Sequence, residues 1–177
     1  MAQDPSAPST LAFIQVRLTR IYPEQIRQCL AALTDEQIWW RPHEHLNSIG
    51  NLVVHLSGSL NHYLNRNLGG FPYARDRDAE FAERRTIPRD ELLAMFDGMV
   101  ANGEKTLASL TPERRSGPSA EPERYNTLLE DLLSILTHVS NHAGQIVWIT
   151  KMLHEGAVDE VWIRTHKNLG GWTPTRE

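Results

Sequence analysis

Residues 127–156 decide the fold, and they read TLLEDLLSILTHVSNHAGQIVWITKMLHEG. Apolar residues recur along this stretch at i, i+3 and i+4, the spacing that places them on one face of an α-helix. Thr127 or the preceding Asn126 can cap the N-terminus, and Gly156 stands where a helix ends in a left-handed C′ residue. The stretch therefore predicts one long helix with a single buried face. The members of that face are Leu128, Leu132, Ile135, Val139, Ile146, Ile149 and Leu153.

Three further stretches show the same periodicity: residues 10–33, 48–68 and 86–110. Pro23 interrupts the first, where we expect a kink rather than an end because the apolar face continues in phase. Residues 34–42 are expected to be irregular, and the connections of residues 69–85 and 111–125 are polar. Only residues 160–163 fit a short strand, and a helical turn explains them equally well. Four amphipathic helices pack most simply as an all-α four-helix bundle with long crossover loops.

The length of 177 residues is typical of a single domain. We expect residues 1–9 to form a disordered N-terminal tail, because they are polar and contain two prolines. Residues 10–155 are expected to form the four-helix domain. Residues 156–177 then form a C-terminal tail that packs on the bundle or on a partner.

Charge and cysteine content argue against several classes of protein. The 18 basic and 22 acidic residues give a net charge of −4, which disfavours a dedicated nucleic-acid binder or an anchor to an anionic membrane. No apolar run approaches the roughly 18 residues that span a bilayer, and residues 1–9 lack the pattern of a secretory signal. Cys29 is the single cysteine, which excludes an internal disulfide and a cysteine-based metal finger. We expect a cytoplasmic protein with a small-molecule substrate.

Three of the eight histidines fall on helix faces that could meet. His142 lies inside the apolar face of the fourth helix, and His138 lies four residues earlier on its edge, so the rings sit one above the other. His55 lies on the flank of the second helix. If these flanks face each other, three neutral imidazoles would hold one divalent metal and leave an open position, as in catalytic sites. Zinc is the default on availability, and nickel or iron also accept imidazole.

Structural interpretations of these histidines remain open. His142 can be a buried histidine bonded to a neighbour, His138 a surface residue and His55 an ordinary flank residue. Burial favours the metal, because a neutral histidine in an apolar face needs partners for both ring nitrogens. A metal takes one nitrogen and a neighbouring polar group takes the other. Candidates for that polar group are Asp131, Ser134, Asn51 and Gln145.

Other conspicuous residues allow plainer interpretations. Cys29 lies in the apolar face of the first helix and is expected to be an inert core thiol. Trp39 and Trp40 are expected to cover one end of the bundle, with a wall of the metal pocket as the alternative. The run from Arg75 to Asp78 alternates in sign and predicts a solvated loop, or alternatively a lid over the site.

Three motifs occur in a fixed order: LTDEQIWWRP at residues 33–42, NSIGNLVVHL at residues 47–56 and THVSNHAGQI at residues 137–146. This order resembles the DinB-like superfamily of four-helix-bundle metalloenzymes, over about residues 10 to 155. The resemblance implies a metal site of three histidines, at the positions of His55, His138 and His142. It also implies zinc, nickel or another divalent ion as the metal, and a homodimer.

The resemblance further implies chemistry with a low-molecular-weight thiol. Characterised relatives join or isomerise substrates with mycothiol or bacillithiol, and a metal would lower the thiol pKa as it lowers that of bound water. We therefore expect a metal-dependent enzyme that activates such a thiol, or water, for attack on a small electrophile. No catalytic base is identified. The alternatives are a non-catalytic metal-binding or dimerisation bundle in a stress-related role, and structural histidines that bind no metal.

Overall fold

A computed structural model of the chain describes residues 10–111, 114, 117–158 and 160–169. The expected N-terminal tail, residues 1–9, lies outside this part. Two π-helical turns, Arg17–Ile21 and Asn61–Arg66, follow the first and fourth helices. The helices are α1 (Thr10–Val16), α2 (Tyr22–Ala31), α3 (Asp35–Trp39), α4 (Ile49–Leu60), α5 (Arg77–Ala82), α6 (Arg89–Ser109), α7 (Leu128–Leu153) and α8 (Val161–Asn168).

The fold is all-α, as predicted. Among the described residues, the β pairing is confined to an isolated bridge between Pro118 and Thr127. The long helices begin at predicted caps, since Ser48 and Thr127 each form a reciprocal capping box. The fourth predicted helix ends at Leu153 with His154 as its C-cap, so Gly156, predicted to be the C′ residue, lies one residue beyond that position, with a φ of 75°.

The backbone stays helical through Pro23, which lies in the first turn of α2. The π-helical turn Arg17–Ile21 immediately precedes it. Proline cannot donate a backbone hydrogen bond and crowds the preceding turn, and a wider turn relieves both constraints. The irregularity expected at Pro23 therefore lies in the turn before it.

Two segments that were expected to be irregular contain short helices. Residues 34–42 include α3, whose N-terminus is closed by a capping box between Thr34 and Gln37. The polar connection of residues 69–85 includes α5, where the Asp76 side chain accepts a hydrogen bond from the Ala79 amide. Both predictions were wrong because a helix of five or six residues is too short to show a hydrophobic period. Residues 160–163 belong to a turn and to α8, not to a strand.

The core lies between the long helices. α2 packs on α7, while α4 packs on α5, α6 and α7. Trp39 closes one end: its ring lies where a Cβ of Gly50 would be, and its indole N–H donates to the Ile87 carbonyl at 2.9 Å. Trp40 is largely exposed, so only the first of the two tryptophans covers the core as expected.

Contacts of α8 tie the C-terminal segment to the helical core. Val161 and Thr165 are buried, and the Gln28 side-chain amide donates to the Thr165 hydroxyl at 3.2 Å. Within the described residues, no helix combines the length and apolar character that crossing a membrane requires.

Candidate metal centre

His55, His138 and His142 lie around one point between α4 and α7. The centroid of the His55 ring lies 5.0 Å from that of His138 and 5.1 Å from that of His142. The centroids of the His138 and His142 rings are 4.6 Å apart. One ring nitrogen of each residue lies within 4.8 Å of the other two nitrogens. The three predicted residues therefore come together, while the metal itself stays a prediction.

Helix packing brings the rings together. His138 and His142 are one turn apart on α7, so both project from the same face. His55 is on the flank of α4, and α4 packs directly on α7. His55 is buried and the other two rings are half-buried.

The ring of His55 is oriented by a hydrogen bond to Glu80, a carboxylate that forms an ion pair with Arg75. Its Nδ1 lies 2.8 Å from Oε2 of Glu80, a carboxylate that is only 5% exposed. Arg75 donates to both oxygens of that carboxylate, from Nε at 2.8 Å and from Nη2 at 2.9 Å. A carboxylate held by arginine is an acceptor, so Nδ1 of His55 carries the proton and Nε2 keeps a free lone pair.

The other two rings also leave a nitrogen available. Nδ1 of His142 donates to Oε1 of Gln145 at 2.8 Å, which leaves its Nε2 unprotonated. Nε2 of His138 is buried and has no hydrogen-bond partner among the described residues. An unpartnered buried nitrogen is unfavourable, and a divalent ion at the centre of the cluster would satisfy it. The donor set therefore fits a metal.

His55 and His138 are neutral at neutral pH. The pKa of His138 is lowered to about 4, mainly by burial and in addition by the neighbouring His142 and His55. Burial also lowers the pKa of His55, against the opposing effect of Glu80. Neutral imidazole is the form that ligates a metal, so no proton has to be displaced from these rings.

Of the four predicted partner groups, Gln145 is the one that forms a hydrogen bond with a ring of the cluster. Asp131 instead accepts from the Ser119 hydroxyl and the Ala120 amide, and Ser134 bonds to the Tyr125 hydroxyl. Asn51 completes the cap of α4.

Glu80 and Arg75 were missed because the connection that contains them looked solvated. That interpretation is wrong for Arg75, whose side chain is 9% exposed, whereas Asp76, Arg77 and Asp78 are exposed as predicted. Asp76 followed by Ala79 and Phe81 is a capping signal before helix formers, and it could have indicated α5.

Close contacts hold α5 against α4. The Phe81 ring lies 4.5 Å from the His55 ring. Gly58 of α4 faces Glu80 so closely that a Cβ there would overlap the carboxylate, with its Cδ at 2.7 Å. Nδ2 of Asn51 donates to the carbonyls of Glu80 and Glu83, at 3.3 and 3.1 Å. Glu80 is thus held in place both through its backbone carbonyl and through its side chain.

Cys29 is fully buried in the core, as expected. Burial raises the pKa of its thiol to about 11, and the neighbouring Thr150 opposes the shift only in part. The thiol is therefore protonated at neutral pH and is inert.

The protein is therefore all-α, with two helices that bring three histidines to one point. The chain belongs to the family described as "Protein of unknown function (DUF1572)", whose model matches residues 10–167. Comparison with curated proteins gives no match.

Proposed function

We propose that this chain is a DinB-like four-helix bundle that binds one divalent metal through His55, His138 and His142. The four rods of the bundle would be α1 with α2, α4 with its π-helical turn, α6, and α7. Contacts of α7 with α2 and α4, and of α4 with α6, support this arrangement. Zinc is the expected metal, and nickel or iron are the alternatives.

One observation carries the proposal: the buried Nε2 of His138 has no partner among the described residues, and it faces two rings whose Nδ1 atoms are already engaged. Outer partners that fix the ring and leave the inner nitrogen free are a regular feature of metal-binding histidines. Three neutral nitrogen donors leave one position open, which is the pattern of catalytic zinc sites.

The proposed activity is attack of an activated thiol or water on a small electrophile. A divalent ion, when bound, supplies Lewis acidity that lowers the pKa of a thiol or water at the open position. Glu80 and Gln145 hold the outer protons of His55 and His142, and burial keeps His55 and His138 neutral. The alternative is a non-catalytic metal-binding bundle.

Metal titration tests the proposal. Metal-free protein is titrated with Zn²⁺, and with Co²⁺ to give a visible spectrum. We expect one ion per chain, and we expect His142→Ala to weaken binding more than about a hundredfold, beyond the usual effect of losing an outer partner. His154→Ala, at the exposed end of α7, is the matched control. Absence of uptake by the wild type, or wild-type affinity in His142→Ala, would contradict the proposal.

Addition of mycothiol, bacillithiol or cysteine to the cobalt-loaded protein separates the two functions. An enzyme that activates a thiol should show a spectral change as the thiol enters the open position. An unchanged spectrum with all three probes would leave the non-catalytic bundle, or activation of water, as the function.

We also propose a homodimer formed through the outer face of α7. Leu129, Leu133, Trp148 and Met152 are exposed apolar side chains on this helix. In an antiparallel pairing about a twofold axis near residue 140, Leu133 lies opposite Trp148 of the partner subunit. In the same register, Glu130 lies opposite Lys151 of the partner subunit. The face therefore complements itself in shape and in charge.

A further inference from the structure

A cavity of about 220 Å³ opens directly beside the histidine cluster. His55 and His138 form one part of its wall. Three arginines and two carboxylates also line it, and Glu80, behind Arg75, supplies a third carboxylate. The charged lining residues are Arg75, Arg77, Arg124, Glu121 and Asp131.

Both carboxylates that line this cavity accept hydrogen bonds from other residues of the protein. Asp131 accepts from the Ser119 hydroxyl at 2.6 Å and from the Ala120 amide at 2.8 Å. Glu121 accepts from Asn67 at 3.1 Å and from Arg124 at 2.9 Å. Neither carboxylate has to be neutralised by a ligand.

Two of the arginines are also engaged. Glu80 holds Arg75 through two hydrogen bonds, and Glu121 pairs with Arg124. Arg77 differs, because its guanidinium makes no hydrogen bond or ion pair with the rest of the described chain. It stacks on the Phe81 ring, with its carbon 4.9 Å from the ring centroid. A guanidinium stacked in this way keeps its N–H edge free to bind a carboxylate.

The position of Arg77 and the volume of the cavity limit the kind of ligand that can bind. Phe81 also contacts His55, with ring centroids 4.5 Å apart, so the Arg77 guanidinium carbon lies within about 10 Å of the His55 ring centroid. The volume corresponds to roughly seven water molecules, below the usual range of cofactor pockets. Leu60, Ile135 and Tyr63 supply uncharged parts of the wall.

We propose that this cavity binds a small carboxylic acid with an apolar or aromatic body, its carboxylate on Arg77 and its other end toward His55 and His138. This names the substrate class of the proposed metal site, and so it rests on the proposed function. The carboxylate would then be held away from the metal, which leaves the uncharged end of the molecule as the part that reacts.

Calorimetric titration with phenylacetate, and with its neutral isostere phenylacetamide, tests the proposal on metal-free and on zinc-loaded protein. We expect phenylacetate to bind both forms and phenylacetamide to bind at least tenfold more weakly. Arg77→Gln should weaken phenylacetate binding roughly 10- to 100-fold, the usual effect of losing charged hydrogen bonds. Arg17→Gln is the matched control, because Arg17 stacks on Phe13 at the same distance of 4.9 Å but lies outside the cavity. The phenylacetate affinity of this variant should stay within twofold of the wild-type value.

Several outcomes would overturn the proposal. These are equal affinity for the acid and the amide, wild-type affinity in Arg77→Gln, or a Kd above roughly 10 mM for phenylacetate on the wild type. Binding that appears only with zinc and ignores Arg77 would place the carboxylate on the metal and would also overturn it. Binding that depends on Arg77 in a protein that takes up no metal would instead support the pocket and contradict the proposed metal site.

Discussion

Gly58 determines where the Glu80 carboxylate lies, and Glu80 in turn determines which nitrogen of His55 is free. A methyl group at residue 58 would overlap that carboxylate. The carboxylate is the end of a flexible side chain, so Gly58→Ala should displace it rather than unfold the protein. We therefore predict that Gly58→Ala lowers metal affinity by about 10- to 100-fold, as loss of an outer partner does. Competition with a chromophoric chelator measures the affinity.

Gly98→Ala is the control for this substitution. Gly98 also lies within a helix, α6, but a Cβ there meets no atom within 4 Å. Its replacement should raise the free energy of unfolding by about 0.5–1 kcal/mol and leave metal affinity unchanged. Equal metal affinity in Gly58→Ala and Gly98→Ala would show that the carboxylate does not orient the ring.

How well the sequence predicts each residue of the cluster depends on how far apart the contacting residues lie along the chain. His138 and His142 are four residues apart on one helix, so local geometry alone makes their rings neighbours. His55 required the further assumption that two helix flanks meet. Glu80 is 25 residues from His55 in sequence, and nothing local to either residue indicates that they touch. Its contact depends on the path of the whole connection, which sequence periodicity does not describe.

At the scale of elements, α5 depends on α4 as much as on its own sequence. Six residues are too few for a helix that is stable alone. Asn51 supplies the missing support, because its side chain completes the capping box of α4 and donates to two carbonyls at the end of α5. One amide thus couples the start of the helix that carries His55 to the helix that carries Glu80.

We predict that Asn51→Ala costs about 2–3 kcal/mol of unfolding free energy, because half of the capping box is lost and the Glu80 carbonyl loses the Asn51 amide as its donor. Metal affinity should also fall about tenfold, because α5 loosens and Glu80 with it. Gln37→Ala is the matched control, since Gln37 holds the same position in the capping box of α3. It should cost about 1 kcal/mol and leave metal affinity unchanged, and urea denaturation with metal titration measures both quantities. If both variants keep wild-type metal affinity, α5 does not support the site.

The same contrast explains which elements the sequence predicts. α4, α6 and α7 each carry several turns of apolar period, and α4 and α7 also begin at a capping box, so the sequence predicts all three within a few residues. α3 and α5 are stabilised by single caps and by contacts such as Trp39 on Gly50 and Phe81 on His55. Those contacts join residues distant in sequence, and a charged run such as Arg75 to Asp78 then resembles a solvated loop.

At the scale of the whole molecule, the outer face of α7 is the surface to test. Trp148 is 65% exposed, and a large aromatic side chain buried in an interface typically contributes strongly to binding. We predict that the wild type is a dimer by light scattering and that Trp148→Asp is a monomer. Met95→Asp, which places the same charge at an exposed apolar position of α6, should remain a dimer. A monomeric wild type, or a dimeric Trp148→Asp, would contradict the α7 interface. Trp148 points away from the cluster, so the monomeric variant should still take up one metal per chain, and that result would separate assembly from metal binding.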